Sequence, residues 1–65
     1  MAHKLLLSID EAADLIGVKR SNFYKLMRHD GIPSVKVGHL RRIPAAELEA
    51  WVQRQVAEQA THEEG

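Results

Sequence analysis

With 65 residues and no cysteine, this chain must fold around one small apolar core that nothing covalent reinforces. There is room for one domain at most. A chain of this size buries only about 60% of the surface it exposes when unfolded, so its margin of stability is narrow. Disulfides and thiolate zinc sites, the usual reinforcements, are excluded. His3, His29, His39 and His62 lie too far apart for two ligands one helical turn from each other, so neither a metal nor a cofactor is expected.

Glycine and proline cut the chain into short elements. Ser8-Ile9-Asp10-Glu11 matches a capping box, in which Ser8 accepts from the amide three residues on and Glu11 reaches back to the Ser8 amide. Asp10 and Glu11 also stand where the helix dipole favours negative charge. Ile9, Ala12, Ala13 and Ile16 then recur at helical spacing, which predicts a helix from about residue 9 to 16. Gly17 can take the left-handed conformation that ends it, and Val18 is placed to plug the turn that follows. A second helix is predicted from about Lys19 to His29, with Phe23, Leu26 and Met27 on its inner face. Lys19 cannot cap amides as serine does, so Ser21 or the backbone must help. Asp30-Gly31-Ile32-Pro33 stops this helix.

Ser34-Val35-Lys36-Val37 alternates polar and apolar residues, Gly38-His39 suits a tight turn, and Leu40-Arg41-Arg42-Ile43 returns. The pattern predicts a short hairpin. Alternation is expected to turn Val35, Val37 and Ile43 inward and Lys36 and Arg42 outward. It also turns Arg41 inward, so that Arg41 must snorkel or the strand must be irregular. Pro44 is pre-shaped for the first turn of a third helix. Leu48, Trp51, Val52 and Val56 mark the apolar stripe of that helix to about residue 57. The domain is therefore expected to span 1–57, with 58–65 a flexible acidic tail. The fold class is mainly α with a small β-hairpin: three helices plus a two-stranded wing.

The formal charge is zero, but its distribution is uneven. From Lys19 to Arg42 there are seven bases and one acid, a net +6, while the remainder carries two bases and eight acids, a net −6. Such segregation suits a directional anion-binding face. No apolar run approaches the roughly 20 residues of a membrane span. Leu5-Leu6-Leu7 is too brief for the apolar region of a signal peptide, so a cytoplasmic protein is expected.

Two short helices joined by a glycine-centred turn, with bases opening the second, make a helix-turn-helix. The second helix of that motif enters the major groove by its N-terminal part. Lys19, Arg20, Ser21, Asn22, Tyr24, Lys25 and Arg28 are accordingly the candidate contacts of the recognition helix. Arg20 can pair bidentately with guanine and Asn22 with adenine, and Ser21 suits a base or a phosphate. Lys19, Lys25 and Arg28 suit phosphates, as does the Tyr24 hydroxyl. Phe23, Leu26, Met27 and Trp51 are read as core.

Three blocks now form a recognisable pattern. They are Ile9 to Val18, then Arg20-Ser21-Asn22-Phe23-Tyr24-Lys25-Leu26-Met27-Arg28, then Gly31-Ile32-Pro33. With Val35-Lys36-Val37-Gly38, Arg42-Ile43-Pro44 and Leu48-Glu49-Ala50-Trp51-Val52, they resemble excisionase-family DNA-binding domains over about residues 5 to 53. The resemblance implies a winged helix-turn-helix related to the MerR superfamily, with the hairpin approaching the minor groove or its phosphates. Lys36, His39, Leu40, Arg41 and Arg42 are the wing candidates. Lys19 departs from the usual serine or threonine at the start of the recognition helix, and Arg41 stands where an aromatic is frequent.

The resemblance further implies double-stranded DNA as ligand and a tyrosine or serine recombinase as partner, an integrase steered toward excision by DNA bending. It also implies cooperative loading of neighbouring sites. The apolar stripe of the third helix is too short for a coiled coil, so the free chain is expected to be a monomer. A small phage or prophage transcriptional regulator is the alternative within DNA binding. A protein-interaction adaptor using Glu47, Glu49 and Glu58 is the alternative of another class, and it leaves the basic centre unexplained. Neither paired carboxylates, an activated nucleophile nor a phosphate-cradling glycine loop is present, so no catalytic site is expected.

Overall fold

The computed structural model describes residues 4–62, and their side chains as far as residue 60. In chain order the elements are β1 (Leu6–Leu7), α1 (Ile9–Ile16), α2 (Arg20–His29), β2 (Val35–Val37), β3 (Leu40–Pro44) and α3 (Ala45–His62). The strands form a small sheet of order β1-β3-β2, with α1 and α3 packed on β3.

Helix α1 begins and ends where its sequence says it should. The Glu11 amide donates to Ser8 Oγ at 3.0 Å, and the Ser8 amide donates to Glu11 Oε1 at 2.9 Å. At the other end Gly17 adopts φ 78°. There the Val18 amide donates to the Ala13 carbonyl at 3.0 Å and the Gly17 amide to Asp14 at 3.2 Å. This double closure is a Schellman motif, and it sets Val18, half-buried against the core, over the buried Ala13. Helix α2 starts after Lys19, whose side chain makes no capping bond; only its carbonyl serves, accepting from the Phe23 amide at 2.9 Å.

The Glu11 carboxylate also pairs with Lys4. That hydrogen bond first, and the Ser8 amide second, hold its pKa below the ordinary 4.5. A carboxylate favoured in the folded state adds stability above its ordinary pKa, and this contribution is lost as pH falls through the lower, folded value. The carboxyl chemical shift of Glu11 should therefore titrate with a midpoint below 4.5, and Lys4→Met should move it upward. A midpoint at the ordinary value would show that neither bond persists in solution.

The wing differs from the expected facing. Antiparallel register pairs Val35 with Arg42, Lys36 with Arg41 and Val37 with Leu40. A two-residue turn at Gly38-His39 dictates these pairs, and residues directly opposite share a face. Val35, Val37, Leu40 and Arg42 therefore lie on one side, with Lys36, Arg41 and Ile43 on the other. Ile43 is fully buried, whereas Val35 and Val37 are exposed, which corrects the inward placement of the two valines. Arg42, expected to point outward, is half-buried. Arg41 shares the inner face with Ile43 but snorkels, its Nη1 donating to Ser34 Oγ at 3.0 Å. Gly38 has φ 63° and His39 a negative φ, the pattern of a type II′ turn, whose twist matches that of the strands.

The sheet also gains a strand that the sequence did not announce. Leu6 pairs with Pro44 and Leu7 with Ile43, and the Ala45 amide donates to the Leu5 carbonyl at 2.9 Å. Pro44 thereby closes β3 instead of standing inside the helix. Helix α3 runs to His62, five residues past the expected end near 57; the last part of the expected tail, 63–65, lies outside the described residues.

The core gathers Leu7, α1's Ile9, Ala12 and Ala13, α2's Phe23, the loop residue Ile32, Ile43, and Leu48 and Trp51 of α3. Phe23 and Ile43 are its largest fully buried side chains. Val56, expected in the apolar stripe of α3, is exposed because it lies beyond the reach of this core.

Candidate nucleic-acid interface

The outward face of α2 follows from its period of about 100° per residue. Phe23, Leu26 and Met27 hold the inner side against the core. Ser21, Lys25 and Arg28, spaced four and three apart, fall in one stripe opposite them. Arg20 and Asn22 flank that stripe, and Lys19 caps the helix. All seven candidate residues of the recognition helix are exposed, Tyr24 at 37%.

Arg20 is the most constrained of them. Its Nη1 lies 3.2 Å from each carboxylate oxygen of Asp10, and its guanidinium carbon sits 5.8 Å from the centre of the Tyr24 ring. Tyr24 and, after it, Asp10 raise the Arg20 pKa further above its ordinary value. Two anchors thus limit where the guanidinium fork can point. Sequence reasoning missed Asp10 as part of this arrangement. The two residues stand on different helices, and only the docking of α1 on α2 brings them together.

On the wing, Lys36, His39, Leu40 and Arg41 are exposed and Arg42 is half-buried. Register sets Lys36 directly opposite Arg41, a like-charge pair that disfavours the hairpin unless an anion lies between the two groups. Arg42 Nη1 makes only a long 3.5 Å contact with the Arg41 carbonyl. Helix α1 packs on both α2 and β3 and so fixes the helix and the wing relative to each other. Among the described residues no group of acidic, histidine or cysteine side chains is arranged to hold a metal, and no helix is long and apolar enough to cross a membrane.

A family model described as a helix-turn-helix domain matches residues 6–56, spanning β1 to the middle of α3. The chain belongs to this family. Its motif is formed by α1 and α2, with α2 as the second helix. A protein of Saccharopolyspora erythraea described as a probable excisionase is 35% identical to it over 60 residues, which cover 92% of this chain and 61% of that protein. This helix-turn-helix domain therefore spans about three fifths of that relative's length. No solved structure matches it.

Proposed function

We propose that this helix-turn-helix domain binds double-stranded DNA sequence-specifically and acts as an excisionase, turning an integrase toward excision by bending the duplex beside its recombination site. The observation that carries the reading is the outward stripe of α2, where only polar and basic side chains stand on a rigid helix. Ser21, Lys25 and Arg28 face the major groove, and Arg20 and Asn22 read base edges from the two borders of the stripe. The wing supplies a second contact: a phosphate between Lys36 and Arg41 would relieve their repulsion. The similarity to a probable excisionase supports the recombination role. One helix and one wing cover a short site, so monomers load neighbouring sites cooperatively.

Titration of a duplex carrying an integrase attachment region, against random duplex, tests this reading. Preferred binding to the attachment region is expected. Arg20→Ala should weaken preferred-site binding about ten- to a hundredfold and relax discrimination at one position. Lys25→Ala should weaken both duplexes alike. Equal losses on both duplexes from both variants would reduce Arg20 to a phosphate contact and remove the proposed readout.

A further inference from the structure

On α1 and α3, away from the outward stripe of α2, lies an open groove of about 850 Å³ between α1, β1 and α3. Its floor is apolar, formed by Leu7, Ile16, Leu48 and Val52. Leu15 stands at its edge, 68% exposed, although a leucine there gains nothing from water. Asp14 and Glu49 line the groove as well, and among the described residues neither has an ion-pair partner. The single base that lines it, Lys4, is already paired with Glu11.

From this arrangement we infer that the groove is a docking site for a basic amphipathic helix of a partner protein bound beside this chain on DNA. An apolar trough between two helices takes the apolar anchors of a third, spaced three and four residues apart. The acids fix the sign of the flanking charges on that helix. A protein seated on the same duplex needs lysine and arginine to hold phosphates, so its nearest segments are basic. In this respect alone the inference rests on the DNA-binding reading. A second copy of this chain offers no such helix, because the apolar face of α2 is spent on its own core, with Phe23 fully buried.

The test uses the full chain, isotope-labelled for amide NMR, and a synthetic helical peptide with leucines at positions i, i+3, i+4 and i+7 and lysines elsewhere. The leucine–lysine peptide should shift the amides around Leu15, Leu48 and Val52 and bind about tenfold more tightly than a scrambled peptide or one with glutamates for lysines. The double variant Asp14→Lys, Glu49→Lys should lose about tenfold in peptide affinity. Leu15→Ser should weaken the peptide as well, while its affinity for duplex stays within twofold of the parent. Equal binding of all three peptides, or shifts confined to α2, would overturn the proposal. So would a concentration-dependent dimer in sedimentation whose interface maps to the groove, since the occupant would then be a second copy. Duplex binding is measured separately, so loss of the DNA reading and loss of the groove reading give different results.

Discussion

Trp51→Ala should abolish the cooperative thermal melt of the free protein. The indole is 7% exposed, and its N–H donates to the Asp30 carbonyl at 2.9 Å, so one side chain both fills the core and clasps the end of α2. Truncating a buried tryptophan costs about 3–5 kcal/mol. Folded domains generally have only about 5–15 kcal/mol in hand, and a chain this small lies toward the lower end. Trp51→Phe separates the two roles. It keeps most of the ring contact and forfeits a hydrogen bond worth about 1 kcal/mol, a fall in Tm of roughly 4–8 °C. Circular dichroism melts of the three proteins decide the matter. An alanine variant that melts within a few degrees of the parent would place Trp51 outside the core and redirect attention to α3 as a contact surface.

The second large effect is on DNA affinity. Lys19, Lys25, Arg28, Lys36 and Arg41 are all exposed, and none is in an ion pair among the described residues. If about four to six phosphates are neutralised, log affinity should fall against log salt with a slope of roughly −4 to −5. Raising salt fourfold would then weaken binding by about 250- to 1,000-fold. Fluorescence anisotropy of a labelled duplex across a salt series measures this slope directly. A flat response would eliminate the phosphate contacts on which the proposed function depends. The chain is neutral overall, but its acidic flanks do not cancel this dependence: among the described residues their acids lie on α1 and α3, and only Asp10 is paired with a base of α2, Arg20.

Local chemistry made some elements readable from the sequence and left others hidden. Helix α1 could be bounded to the residue because Ser8, Glu11 and Gly17 each act on backbone groups within five positions. The start of α2 was less sharp, since Lys19 signals no cap. The hairpin turn was legible, but the direction of its valines was not. Facing depends on how the two strands add up across the turn, and alternation within each strand says nothing about that sum. Strand β1 is two residues long, too short for any period, and Leu5-Leu6-Leu7 shows no alternation. The end of α3 lacks a glycine or proline, and alanine, glutamate and glutamine there are good helix formers, so the helix continues. In the candidate interface, the residue types could be chosen from the sequence. The clasp of Arg20 by Asp10 and Tyr24 needed the tertiary fold.

The place of β1 in the sheet bears on how the domain comes apart. Contacts at the wing tip close over a two-residue turn and cost little chain entropy. The pairing of Leu7 with Ile43 instead closes a loop that holds α1, α2 and the hairpin. Closing so long a loop is repaid only when the core between its ends is already packed. The base of the wing and the helix-turn-helix thus belong to one cooperative unit. The first strand acts as the drawstring: it slackens only when the whole domain opens, and while it holds, the wing cannot swing free of the recognition helix.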